Sequence, residues 1–117
     1  MDVVEFWNDS PLRNIYLDEE EFEHIYVRKG QMALQFADGS SQITNCLQIA
    51  NVAAATPRAG AFGRLLARID RELNVPVFVE NITFPEVAAG LANKYGFVYV
   101  NDCGLDFCSC LFRDTPL

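Results

Sequence analysis

The residues best suited to chemistry crowd into one short stretch, Thr56-Pro57-Arg58-Ala59-Gly60-Ala61-Phe62-Gly63, with Arg64 directly after it. It lies between an apolar run at 41–55 and an amphipathic run in which Phe62, Leu65, Leu66, Ile69 and Leu73 follow a helical period. A strand that enters a small-residue loop and then a helix offers an anion two things. The first helical turn carries unpaired backbone N–H groups and a partial positive charge. Small side chains let a phosphate approach those donors. Ala59, Gly60, Ala61 and Gly63 are small, and Arg58 and Arg64 add cationic donors at the same end. The set suits a pyrophosphate. The same glycines also serve a plain tight connection with no ligand. The stretch is not a P-loop, because it lacks G-K-[S/T], and no acidic ribose partner follows as a dinucleotide fingerprint requires.

The elements that must position this loop can be read outward from it. Residues 2–8 suit a short helix, stopped at Ser10-Pro11. Asp18-Glu19-Glu20-Glu21 places acids where a second helix would begin, with Phe22, Ile25 and Tyr26 on its buried face. Residues 24–28 fit a strand equally well. Lys29-Gly30 reads as a turn. Met32, Leu34 and Phe36 alternate on a half-buried strand at 31–37, and Asp38-Gly39 is a hairpin turn. Residues 41–55 form a long strand, bulged near Ala50-Asn51 and ended by Thr56-Pro57. A helix at 60–73 follows, then a strand at 75–80. Thr83 and Glu86 fit a capping box for a helix that Gly96 stops after Tyr95. Strands at 97–101 and 106–112, joined by a turn at 102–104, complete the chain. The central strand-helix-strand unit requires a parallel pair with a right-handed crossover, and the last two strands should be antiparallel. The expected class is α/β: a mixed, mostly antiparallel sheet with a central parallel pair and helices on both faces.

A chain of 117 residues, 50% hydrophobic and 21% charged, suits one globular domain. Nine basic against sixteen acidic residues give a net charge of −7. That balance argues against nucleic acid and against an anionic membrane surface, and it favours a basic partner. The acidic, interrupted start is unlike a signal peptide, and no apolar run reaches the roughly 18–20 residues of a membrane span. The expected location is the cytoplasm. There the four cysteines, Cys46, Cys103, Cys108 and Cys110, would be reduced. Their spacing, with His24 the sole histidine, argues against zinc. Cys108 and Cys110 flank Ser109 in a strand-like run and read as small core residues.

The segment Thr56-Pro57-Arg58-Ala59-Gly60-Ala61-Phe62-Gly63-Arg64-Leu65-Leu66 resembles the coenzyme A loop of the GNAT family of N-acetyltransferases. The family pattern is R/Q-x-x-G-x-G/A, followed by a helix of x-L-L type. Arg58 matches its first position and Gly63 its last, while Ala61 replaces the middle glycine. Asn81 after a short strand, and Lys94-Tyr95-Gly96-Phe97 closing the next helix, match a second family feature. The resemblance spans residues 44–114, so it implies the GNAT fold with an acyl-CoA-binding core at 41–114. Residues 1–40 would be a reduced acceptor-side portion. It implies acetyl-CoA as co-substrate, with its pantetheine arm along Asn51, Val52, Ala53 and Ala54. Its pyrophosphate would lie on Arg58, Ala59, Gly60, Ala61, Phe62, Gly63 and Arg64, with Asn81 nearby. The acceptor would be a small-molecule amine, such as a polyamine or amino sugar, or a protein lysine or N-terminus. A homodimer is common in this fold.

Acetyl transfer needs a held thioester, a donor for the oxyanion, a base for the amine and a proton for the thiolate. The backbone N–H of Asn51 or Val52 is the expected oxyanion donor. No acid lies in 41–55, so Glu80, at the end of the next strand, is the expected base, and Asn81 orders the site. Glu80 also fits a solvated strand end, and Asn81 a turn. Ala92 stands where the family places a tyrosine acid. Tyr95 and Tyr99 read as packing residues, as do Phe6, Trp7, Phe22 and Tyr26, and His24 as a surface or packing residue. Water can protonate a thiolate whose pKa is near that of a free thiol. Three functions follow: an N-acetyltransferase, a catalytically reduced protein that binds coenzyme A or a protein partner, and a nucleotide binder using the same loop.

Overall fold

The structure, a computed structural model, describes residues 1–56, 60–82, 84–100 and 109–114. Helix α1, Val3–Asp9, starts where Asp2 accepts a hydrogen bond from the backbone N–H of Glu5 at 2.9 Å. That contact satisfies one of the unpaired donors of the first turn. The helix stops at Ser10, as the Ser10-Pro11 break requires. A short strand, β1 (Asn14–Tyr16), follows without any sequence cue.

Strand β2, Phe22–Gln35, corrects two expectations. The acids at 18–21 do not open a helix, and Lys29-Gly30 is not a turn. Buried Ile25 and Val27 alternate with half-buried His24, Tyr26 and Arg28, which is the period of a strand. Both edges of this stretch are also paired, with β1 on one side and β3 on the other. Lys29 continues the strand because its amine has a role there. Its Nζ donates to the carbonyls of Phe6 at 2.6 Å and Ser10 at 2.7 Å, where α1 ends. Gly30 takes φ +139°, which a side chain would strain.

The Asp38-Gly39 turn forms as expected. Gly39 has φ +88°, and the Phe36 N–H donates to the Ser40 carbonyl at 2.9 Å. Strand β3, Ser41–Ala54, returns along β2. Its pairing passes from Val27↔Ile49 to Tyr26↔Asn51, so Ala50 is the extra residue of the expected bulge. Helix α2, Ala61–Glu72, buries Ala61, Leu65, Leu66 and Ile69. Strand β4 is Val77–Ile82, two residues later at both ends than its pattern suggests. Helix α3, Pro85–Tyr95, has Phe84 in its cap position and Pro85 at its first turn. Glu86 therefore falls one place short of a capping-box position, and Thr83 lies outside the described residues. Gly96 ends α3 at φ +75°. Strands β5 (Val98–Val100) and β6 (Ser109–Arg113) are antiparallel. Cys103, Cys108 and the 102–104 turn lie outside the described residues.

Among the described residues the sheet has six strands in the order β1-β2-β3-β4-β6-β5. Only β3 and β4 are parallel among the described residues, and β6 inserts between β4 and β5. Two clusters of buried residues divide the sheet by face. Leu47, Ile49, Val77, Val79 and Leu111 join residues of α1, α2 and α3 in the larger one. Leu34, Cys46, Phe78, Cys110 and Phe112 form the other, which includes no helical residue. The expectation of helices on both faces is corrected accordingly: among the described residues, all three helices share one face. Curvature is the reason the other face does without. Phe36, just past β2, bridges Val100 on β5, although four strand boundaries separate those strands in the sheet order. The Phe36 and Phe112 rings also meet, with centroids 6.2 Å apart. The sheet therefore curls over the second cluster and encloses it. No helix among the described residues is long and apolar enough to cross a membrane.

Candidate functional site

The parallel ladder between β3 and β4 is short. It runs through Leu47↔Val77, Gln48↔Phe78 and Ile49↔Val79 and then ends. Beyond that level β3 continues along β2, pairing Asn51 with Tyr26, Val52 with Ile25, Ala53 with His24 and Ala54 with Phe22. Strand β4 continues along β6, its pairing shifting from Val79↔Leu111 to Ile82↔Ser109. Each strand carries an extra residue at this level, Ala50 on one and a residue of the Glu80-Asn81 pair on the other. Asn81 takes φ +60°, a left-handed conformation that asparagine tolerates better than most residues. Beyond Ile49↔Val79 each parallel strand is paired with its outer neighbour alone, which leaves a gap in the ladder between β3 and β4 among the described residues.

This gap gathers six of the residues singled out by the sequence. Asn51, Val52, Ala53 and Ala54 form one wall, and their backbone edge toward β4 has no ladder partner among the described residues. Alternate N–H groups on such an edge point into the gap. Glu80 and Asn81 form the other wall. Helix α2 begins at the same end, since it follows β3 directly, and Gly60 precedes its first turn at φ +82°. Ligands of open α/β sheets bind outside the carboxyl ends of parallel strands, and this gap has that position. Arg58 and Ala59 lie outside the described residues.

Phe62 packs as its helical period requires, and three neighbouring residues, Ala61, Gly63 and Arg64, have roles that sequence alone did not reveal. Ala61 is buried and Phe62 packs on the main core. A Cβ on Gly63 would sit 2.6 Å from the Tyr95 hydroxyl, so this glycine lets α3 pack on α2. Arg64 donates through Nε to both carboxylate oxygens of Glu21, at 2.8 and 3.1 Å. The bound guanidinium holds the Glu21 carboxyl below the usual carboxylate range. Beside it Arg68 pairs with Glu19 at 2.5 Å, and the other oxygen of Glu19 accepts the Val3 N–H of α1 at 3.0 Å. An open groove of about 490 Å³ follows this charged face of α2, between residues 19–22 and 64–71, and it does not include the gap.

Further side chains missed by the sequence reading lie beside Glu80. Arg28 reaches across β3 from β2, and its Nη2 donates to Glu80 Oε1 at 2.5 Å. Farther along the same face of β2, His24 Nε2 lies 3.2 Å from Asn51 Oδ1. The Tyr26 and Tyr16 rings stack with centroids 4.8 Å apart. A strand assignment for residues 24–28 places His24, Tyr26 and Arg28 on one face, and that alternation was the available signal.

Ala92 packs against the main core, as does Tyr95. Cys46 and Cys110 are buried in the enclosed cluster, and burial pushes the Cys46 thiol up to about 11. Among the described residues, no group of three or more His, Cys, Asp and Glu side chains converges on a metal position. Searches of known protein families and of curated proteins find no match to the chain.

Proposed function

We propose that the chain is an N-acetyltransferase of GNAT type that transfers an acetyl group from acetyl-CoA to a primary amine. The observation that carries the proposal is the parting of β3 and β4 immediately beyond Ile49↔Val79, with α2 starting at the same end. An unpaired strand edge at Asn51–Ala54 would hydrogen-bond the amide groups of the pantetheine arm. The first turn of α2 would take the pyrophosphate through its N–H groups, helped by Arg58 and, once released by Glu21, Arg64.

The chemistry follows from the same walls. A backbone N–H near Asn51 or Val52 would stabilise the oxyanion. Glu80 would accept the proton of the acceptor ammonium, directly or through one water. Arg28 pairs with that carboxylate and orients it. Asn81 holds the bulge that aims Glu80. With Ala92 in the core, water would protonate the departing thiolate. The setting proposed is the cytoplasm, the acceptor a small-molecule amine or a protein lysine or N-terminus, and the assembly a homodimer.

Two observations favour a second reading, a protein that binds coenzyme A or a protein partner without transfer. Arg64 is engaged by Glu21, and no side-chain acid occupies the position of Ala92. Thermal shift with acetyl-CoA tests binding, and thiol release with a panel of amines separates the two readings. A ligand at a hundredfold excess over its dissociation constant should stabilise the fold by about 2.7 kcal/mol. Gly60→Asp should abolish that shift, because aspartate tolerates the left-handed backbone and puts a carboxylate where the phosphate would bind. Gly60→Asn is the neutral control. Absence of any shift in the wild-type chain would refute the coenzyme A site.

A further inference from the structure

We propose that the acceptor is a zwitterion, an α-amino acid or a close relative with free ammonium and carboxylate groups, recognised jointly by Arg28 and Glu80. For chemistry the proposal rests on the acetyl-transfer reading; for binding it stands alone.

Arg28 and Glu80 sit on strands that are not neighbours. Arg28 pairs with Gln48 of β3, and Gln48 with Phe78 of β4, two residues before Glu80. All four face the side of the sheet on which the described residues place no helix. Arg28 reaches across β3 to Glu80, which lies just beyond the last β3–β4 pair. The contact uses one guanidinium nitrogen and one carboxylate oxygen. It is a single-point pair, whereas arginine can offer a two-pronged fork to a carboxylate. Arg28 Nε is buried without a partner among the described residues. Side-chain exposures of 35% and 21% leave both groups open to a small solute while sheltering them from bulk water.

Charge accounting then selects the ligand. A simple amine would compete with Arg28 for Glu80 and leave the guanidinium without its counter-ion. A simple carboxylate would do the reverse to Glu80. Half-buried charges left unpaired are costly. An α-amino acid avoids both penalties. Its ammonium and carboxylate lie on one carbon, at a separation close to that of the ion pair. Its carboxylate can take the free prong of Arg28 while its ammonium donates to Glu80, giving four alternating charges and no unpaired one. His24, Asn51, Tyr16 and Tyr26 lie along the same face and supply a polar and aromatic rim for a side chain.

The placement also suits transfer. Glu80 takes one proton from the ammonium, and the amine nitrogen attacks the thioester carbonyl. The C–N bond forms, the C–S bond breaks, and the second amine proton is lost to solvent as the thiolate is protonated from water. The net products are an N-acetyl amino acid, free coenzyme A and one proton.

The test is binding to the full chain without coenzyme A, followed by amide chemical shifts. The probes are the standard L-α-amino acids, with the amide and N-acetyl derivative of each that binds. At least one zwitterion should shift the signals of His24, Asn51 and Glu80, and its amide and N-acetyl forms should bind about tenfold more weakly or worse. Arg28→Lys keeps the charge without the fork, and it should weaken the zwitterion while leaving the spectrum elsewhere unchanged. Either of two results overturns the proposal: no amino acid binds at about 10 mM, or the amide binds as well as the acid. A failed acetyl-CoA shift alongside a positive zwitterion titration would remove the transferase reading and leave this site standing.

Discussion

Arg64 is the residue at which sequence and structure differ most usefully. Its position after a small-residue loop suggests a phosphate donor, yet it is bound to Glu21, forty-three residues away. No local pattern could reveal that pair. The acids at 18–21 do act near helices, as their charge suggests, but on α1 and α2 rather than at the start of a new helix. If α2 receives a pyrophosphate, Glu21 is its intramolecular competitor. Glu21→Gln should tighten acetyl-CoA binding by about two- to fivefold, a modest change because the pair is exposed and screened. Titration calorimetry at low and moderate salt checks this, and salt should shrink the difference. The same pair has a pH signature. The folded Glu21 carboxyl titrates below its unfolded value, so the pair stabilises the fold above a pH of about 4.3. That contribution is lost as pH falls through the depressed value. Thermal melts of wild type and Glu21→Gln should therefore converge toward low pH.

Among the elements, those with strong periodicity were legible and those decided by partners were not. Helix α2 and the Asp38-Gly39 turn follow from their residues, as does the bulge in β3. β2 does not, because residues 22–28 satisfy both periods and only pairing with β1 and β3 decides between them. Lys29-Gly30 misleads for a similar reason, since the lysine is there to hold the end of α1. Gly63 is a subtler case, because a small residue in a loop suggests a phosphate site while helix packing demands glycine itself. Alanine in a helix is normally better than glycine by about 1 kcal/mol. At Gly63 its methyl would meet the Tyr95 hydroxyl, and overpacking costs roughly 1–3 kcal/mol. Gly63→Ala should therefore destabilise the wild type. In a Tyr95→Phe background the same change should be neutral or stabilising by up to about 1 kcal/mol. Urea unfolding of the four proteins gives the coupling. A Gly63→Ala effect indifferent to Tyr95 would mean that this glycine serves something other than the helix contact.

At the scale of the whole molecule the sheet has to solve a coverage problem. Among the described residues, six strands and helices on one face leave the other face to be shielded by other means, and the sheet shields it by curling. The parallel pair and the antiparallel final strands were legible, because connection length and the strand-helix-strand order dictate them. The insertion of β6 between β4 and β5 and the bridge from Phe36 to Val100 were not, because they depend on contacts between distant strands. The curl has an energetic consequence. Phe78 and Phe112 are buried in the enclosed cluster, and Phe36 packs over them as the sheet closes. Phe112→Ala should cost about 3–5 kcal/mol, as for other buried phenylalanines. Phe36→Ala should cost less, about 2 kcal/mol, because its ring is only partly buried. The two rings touch, so their effects should not add, and the coupling should be about 0.5–1.5 kcal/mol. Ile43 is the internal control, since it is 73% exposed on β3 and its replacement by alanine should change stability by less than about 0.5 kcal/mol. The bridge adds a second readout, since Phe36→Ala should also speed hydrogen exchange at Val100, the far side of the closure. Fully additive phenylalanine effects, with unchanged exchange at Val100, would mean that the two ends of the sheet are stabilised independently and that the curl is not what covers the helix-free face.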